Sequence, residues 1–175
     1  TGKTLAFGIP LLQRLAQGGG QGLVVLPTRE LALQVEAELH KIGTAFRLRT
    51  ALLIGGLSMG LQIRAVKASP HIIIATPGRL NDHLEQKTVK LDRVKIIVLD
   101  EADRMLDMGF WPQVKRIITI LPRDRQTMLF SATLSKEIMQ LATGHMKLPT
   151  RIEVAVSGTT SEKVSQEFFI VRKDE

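Results

Sequence analysis

Asp100 and Glu101 follow an apolar run from Val94 to Leu99 and begin the tetrad Asp100-Glu101-Ala102-Asp103. Two acids at the carboxyl end of a buried strand are costly to desolvate unless a cation sits opposite them. An Asp there suits Mg²⁺, held through water because Mg²⁺ sheds its waters reluctantly. A Glu beside it suits the orientation and deprotonation of an attacking water. The chain also opens on Thr1-Gly2-Lys3-Thr4, the tail of the phosphate-binding pattern G-x-x-x-x-G-K-[ST]. Glycine lets backbone N–H groups face phosphates, and a helix N-terminus adds positive potential. Lys3 can reach the β- and γ-phosphates, and Thr4 offers a hydroxyl to Mg²⁺. Either feature alone has a bland reading, since acids also cap helices. An apolar strand feeding directly into Asp-Glu, downstream of a Gly-Lys-Thr helix, favours a nucleoside triphosphatase.

The elements that must position these groups alternate along the chain. Leu23–Leu26, Ala51–Ile54, His71–Ala75, Lys95–Leu99 and Thr127–Phe130 read as strands. Helical periodicity marks Leu5–Leu15, Glu30–Ile42, Leu57–Ala68, Arg79–Gln86, Phe110–Leu121 and Ser135–His145. Near-continuous Val/Ile/Leu strands alternating with helices predict an α/β fold, a parallel sheet with helices on both faces. Ligands of such sheets bind outside the carboxyl ends of the strands, where both candidate groups fall. Arg151–Val156 reads as a last strand.

With 175 residues the chain has one domain's worth of core. No apolar run approaches the ~18–20 residues of a membrane helix. The absence of cysteine excludes disulfides and thiolate zinc sites, and it fits an intracellular, cytoplasmic protein. A net charge of +7 favours a polyanionic partner. With aromatics at 4% and no Tyr, a base-stacking platform is unfavoured, so nucleic acid would be gripped by its phosphate–sugar backbone with little sequence specificity. Lys87, Lys90, Arg93 and Lys95 read as a solvated basic stretch. Arg123 and Arg125 add positive field, with no place near nucleic acid assigned to them. The four histidines lack metal-ligand spacing, and Met105, Met108, Met128 and Met139 read as core fillers.

Six short segments in order then carry a resemblance: Gly2-Lys3-Thr4, Pro27-Thr28-Arg29-Glu30-Leu31-Ala32, Gly55-Gly56, Thr76-Pro77-Gly78-Arg79, Asp100–Asp103 and Ser131-Ala132-Thr133. The chain resembles the DEAD-box RNA helicases of superfamily 2 over essentially its whole length. The wording of Asp103–Phe110 looks most like bacterial RhlE-type members. The resemblance implies the first RecA-like domain of two, a P-loop NTPase fold, over residues 1–156. Residues 157–164 would be the interdomain linker and 165–175 the start of the second RecA-like domain.

The resemblance also implies ATP and Mg²⁺ as cofactors and assigns roles. Thr1, Gly2, Lys3 and Thr4 would bind the triphosphate, Thr4 and Asp100 the metal, with Glu101 as catalytic base beside Asp100 and Lys3. Asp103 would link hydrolysis to strand separation through Ser131, Ala132 and Thr133. Pro27, Thr28, Arg29, Gly55, Gly56, Thr76, Pro77, Gly78 and Arg79 would line the RNA backbone. Their chemistry suits phosphate contact, because glycines permit close approach, threonines offer hydroxyls, and arginines offer charged forks at helix starts. The helix after Arg79 would act as the wedge of a local, non-processive separation. The chain begins inside the phosphate-binding motif and lacks the second domain's arginine fingers, which are commonly worth ~10³–10⁵ in rate. Alone it is expected to be nearly inert. Competing readings are an ATP-gated RNA clamp without useful unwinding, and a DNA translocase, which Thr76–Arg79 with Asp103 disfavours.

Overall fold

The computed structural model describes residues 2–153, the side chain of Phe46 excepted. Thr1, the linker at 157–164 and the expected second-domain start at 165–175 lie outside the described residues. Of the expected strand Arg151–Val156, residues 151–153 form no strand, and the remainder also lies outside.

Five parallel strands make one sheet: β1 (Gln21–Val25), β2 (Thr50–Leu53), β3 (Ile72–Ala75), β4 (Val94–Leu99) and β5 (Gln126–Leu129). Their spatial order is β2-β3-β1-β4-β5. β1 and β3 are buried at every position and β4 everywhere but Lys95, as their unbroken apolar runs require of central strands. β2, at one edge, alternates instead.

Helices cover both faces: α1 (Gly2–Gly18), α2 (Arg29–Ile42), α3 (Met59–Lys67), α4 (Pro77–Glu85), α5 (Ala102–Asp107), α6 (Trp111–Ile120) and α7 (Lys136–His145), with a 3₁₀ turn at Thr44–Phe46. Strand alternation sends successive side chains to opposite faces. Val24, Ile74 and Val98 meet Phe7, Leu11 and Leu12 of α1 and Val35 and Leu39 of α2. Leu23, Val25, Ile73 and Ile97 join the other core with Met105, Val114, Ile117 and Leu141. α1 presents Thr4, Phe7, Gly8, Leu11 and Leu12, the i, i+3, i+4, i+7, i+8 stripe of a helix packed on a sheet. The six-residue α5, which the periodicity does not mark, is too short to show a helical repeat. Among the described residues no helix is long and apolar enough to cross a membrane.

The register decides where function can sit. Leu53 pairs with Ala75, Ala75 with Val25, Val25 with Leu99, and Leu99 with Leu129. Five strands therefore finish in one row. Backbone bonds extend the row by one step, from Thr76 N to Leu53 O, Asp100 N to Val25 O and Phe130 N to Leu99 O, at 3.0, 3.1 and 2.8 Å. The loops after β1 to β5, which carry the candidate residues from Pro27 to Thr133, open on this rim.

Candidate active site

α1 starts at Gly2, so the N–H groups of Gly2, Lys3 and Thr4 belong to a first turn without intrahelical acceptors. Lys3 is exposed and Thr4 buried to 6% exposure. Asp100, on which the charge of Lys3 acts, is 7% exposed. Burial pushes its carboxyl above the ordinary Asp range. The Glu101 N–H, 3.0 Å from Oδ1, and the positive charge of Lys3 pull the other way, while the charges of Glu101 and Asp103 raise it further. A carboxyl raised by burial, with the charges of Glu101 and Asp103 adding, is one that a further cation would relieve. Among the described residues no group of three His, Cys, Asp or Glu forms a complete metal cage. A carboxylate such as Asp100 and a hydroxyl such as Thr4 are oxygen donors of the kind Mg²⁺ takes, with waters completing its shell.

Glu101 occupies the left-handed backbone region, at φ 53° and ψ 51°. For a non-glycine residue this costs about 1–3 kcal/mol, and such strain persists where the surroundings over-determine it. The surroundings here are Asp100 N bonded to Val25 O on one side and Ala102 N bonded to Phe130 O, 3.0 Å, on the other. The Glu101 carboxylate accepts from Arg104 Nη1 at 3.2 Å, a partner that no motif in the sequence singles out.

Asp103 is built differently. Its Oδ2 accepts from Ala132 N at 3.1 Å, Thr133 N at 3.0 Å and Thr133 Oγ1 at 3.3 Å. Oδ1 accepts from Arg104 N at 3.0 Å. Its own N–H donates to Ser131 Oγ at 3.2 Å, and that hydroxyl donates to Thr133 O at 2.6 Å. Burial opposes ionisation, but the N–H groups of Thr133, Arg104 and Ala132 outweigh it and hold the carboxyl below the ordinary range. The acidic loop and the Ser131–Thr133 loop are thus closed on each other.

The remaining loops lie along the same rim towards β2. Thr28 caps α2, its Oγ1 accepting from Leu31 N at 3.3 Å. Thr76 leads into α4 without a side-chain cap, and Pro77 stands at the helix start, so the first turn with Gly78 is open. Gly56 has φ +76°, and a Cβ there would fall into the guanidinium of Arg29. The glycine and the arginine form one surface. Arg79 is not a free fork. It is 16% exposed, donates through Nη1 to Leu57 O at 2.9 Å, and has Nε 3.4 Å from Asp82. It fastens the loop after Gly55-Gly56 to α4.

A model of the family described as DEAD/DEAH box helicase matches residues 1–141. The chain belongs to that family. It is 45% identical over 175 residues to the DEAD-box ATP-dependent RNA helicase CshA of Bacillus cereus, covering 99% of this chain and 33% of that protein. The Bacillus subtilis protein of the same name is 42% identical, with 99% and 35% covered. The chain thus spans about a third of the length of these relatives. A DEAD box protein from the hyperthermophile Methanococcus jannaschii superposes with a TM-score of 0.79 at 40% identity, over 83% of this chain and 40% of that one. The yeast DEAD-box splicing factor Prp28 does so at 0.78 and 34%, over 83% and 37%. The RecA-like expectation for the sheet agrees with these structures. These two Bacillus relatives carry the CshA name, so they do not decide the RhlE-type wording of Asp103–Phe110.

This DEAD-box domain also holds a buried network that the motifs do not mark. His83 is fully buried, with Nδ1 2.7 Å from Thr88 Oγ1 and Nε2 3.2 Å from Gln62 Oε1. Gln62 Nε2 donates to Ile54 O at 3.0 Å and Leu57 O at 3.2 Å, the two ends of the Gly55-Gly56 loop. Burial, with the Arg79 charge adding, lowers the His83 pKa and favours the neutral ring, although Asp82 opposes this. The only sequence signal is a polar Gln and His on otherwise amphipathic helices.

Proposed function

We propose that this domain is the half of an ATP-dependent RNA helicase that binds ATP–Mg²⁺ and one RNA backbone, coupling hydrolysis to local duplex separation with a second RecA-like domain. The observation that carries this reading is the shared rim. Lys3 acts electrostatically on Asp100 at one end, Asp103 ties the acid loop to Ser131–Thr133, and Arg29, Gly56 and Gly78 face solvent further along. Lys3 and the open N-terminus of α1 suit the triphosphate, and Asp100 with Thr4 suits Mg²⁺. When bound, Mg²⁺ would neutralise charge on the phosphates.

Glu101 orients and deprotonates the attacking water once its carboxylate is released from Arg104. Asp103 passes the position of the acid loop to the Ser131–Thr133 loop through bonds already made. The uncapped first turn of α4 and the Arg29–Gly56 surface grip phosphates, while Arg79 keeps the Gly55-Gly56 loop in place. The matched relatives' printed names, RNA helicases, support RNA over DNA. Work in the cytoplasm belongs to the same reading.

The test is RNA-stimulated ATP turnover of the intact protein, compared with Glu101→Gln. The variant should keep ATP and RNA binding and lose turnover by about 10²–10⁴-fold. Surviving turnover would remove Glu101 as the base. Equal stimulation by DNA would overturn the RNA assignment.

A further inference from the structure

The opposite rim of the sheet, at the amino ends of the strands, gathers cations that the nucleotide site does not use. Gln21 N bonds Arg93 O at 2.9 Å, which brings the segment before β4 beside the start of β1. Gly20 packs against Lys95, since a Cβ there would lie 2.6 Å from Lys95 Cγ. Lys95 Nζ reaches Asp124 Oδ2 at 3.0 Å. Arg125 donates to Pro122 O at 2.6 Å and His145 O at 3.3 Å, locking the loop before β5 onto the end of α7. Lys147 follows two residues on.

The Asp124 carboxyl is held below the ordinary range by its bond to Lys95 and that residue's charge, with the charges of Lys147 and Arg14 adding to it. Lys95, Lys147 and Arg14 thus surround one acid, Asp124; Arg123 precedes it in the chain and Arg93, beside Asp92, lies on the segment of Lys95, and all five cations are exposed. Arg125 is the one cation of this group committed to helix-end and loop carbonyls. Along β4, Lys95 and Asp100 are five residues apart, about 16 Å. An RNA lying only in the carboxyl-end loops cannot touch this rim.

We infer that the amino-end rim formed by Arg14, Lys95, Arg123 and Lys147 is a second contact for the phosphate backbone of RNA, engaged by a flank extending beyond the strand held at the carboxyl-end loops. The inference rests on the RNA function proposed for the carboxyl-end loops. Phosphate fits because the cations are dispersed, exposed and unaccompanied by aromatics, so they offer charge without base readout. Among the described residues Arg14, Arg123 and Lys147 make no ion pair of their own, so neutralising them leaves every ion pair of the described fold intact.

The test is salt-dependent binding of two RNAs to the intact protein, one short enough to fill only the carboxyl-end loops and one long and structured. The triple variant Arg14→Gln, Arg123→Gln, Lys147→Gln should weaken the long RNA roughly tenfold and lower its log–log salt slope by about two. The short RNA and RNA-stimulated turnover should be unchanged. Arg123→Gln and Lys147→Gln, made singly, should each show part of the same loss. Unchanged long-RNA binding, or equal loss for both RNAs in the single variants, would overturn the inference. Loss of polyglutamate binding with long-RNA affinity retained would assign the rim to an acidic protein instead. Failure of the unmodified protein to bind the short RNA would break the parent reading, a result separable from all of these.

Discussion

Asp100 and Asp103 stand three residues apart in one motif, yet their surroundings drive them in opposite directions. Asp100 is buried with one local N–H and the charge of Lys3 acting on it, and its carboxyl is raised. Asp103 accepts from four donors on two loops, and its carboxyl is lowered. The first carboxyl is held in an unfavourable place, which the Mg²⁺ of the proposed function would relieve. The second is satisfied within the chain and gains only by staying closed. A motif therefore need not be one functional unit: under the proposed function half of this one would receive a ligand, while the other half is a fastener between loops.

The comparison is broken most directly through chemistry. Asp100→Asn should lower Mg²⁺-dependent ATP turnover by at least about a hundredfold, several times RT in barrier height. In the same variant Mg²⁺-nucleotide should no longer raise the melting temperature. For the unmodified protein at a hundredfold excess over Kd, that stabilisation is about 2.7 kcal/mol. Retained turnover and retained nucleotide stabilisation would show that Asp100 is not a receptor for the metal.

Removing the fastener should act on stability instead. Asp103→Ala leaves the N–H groups of Ala132 and Thr133 without their acceptor, at a cost of about 2 kcal/mol in urea unfolding. Asp100→Asn, measured without nucleotide, should be neutral or stabilising by up to about 1 kcal/mol, since it deletes a charge held in an unfavourable place. Equal destabilisation by the two variants would erase the distinction.

The pH dependence sharpens it. A lowered carboxyl contributes stability above its unfolded value, and this is lost as pH falls through the folded value. Asp103 therefore steepens acid unfolding, and Asp103→Asn should flatten that limb. A raised carboxyl contributes stability below its unfolded value, lost as pH rises through the folded one. Acid therefore relieves Asp100, and Asp100→Asn should make the net loss on acidification larger. Urea titrations from neutral to acid pH read both slopes, and like changes in the two variants would contradict the assigned directions. The smallest effect belongs to Ser131→Ala. Asp103 N loses an acceptor and Thr133 O a donor, worth about 1 kcal/mol, with the Asp103–Thr133 bonds retained. A loss as large as that of Asp103→Ala would show that Ser131, not the carboxylate, holds the loops together.

Much of this was legible in the chain because the informative residues stand where backbone geometry restricts the choice. Val94–Leu99 reads as a central strand since every position but Lys95 must be apolar when both faces are covered. Gly55-Gly56, Thr76-Pro77-Gly78 and Pro27-Thr28 mark turns and caps in any fold, and their order supplied the family. Other features had no local signal. α5 is too short to show a period. The attachment of Arg79 to Leu57 spans 22 residues and that of His83 to Gln62 spans 21. The basic rim is assembled from four segments, each of which looks like an ordinary solvated charge.

The sequence by itself determined the alternation of strands and helices, the chemistry available at each strand end, and membership of the family. These depend on local periodicity and on residue types a few positions apart. Only the tertiary structure decided that Asp100 is raised and Asp103 lowered, that Arg79 is a tie rather than an open fork, and that cations collect on the far rim. Desolvation, hydrogen-bond completion and summed charge are set by groups brought together from distant parts of the chain, as Thr133 is to Asp103 across 30 residues. No window of sequence contains both partners of such a pair.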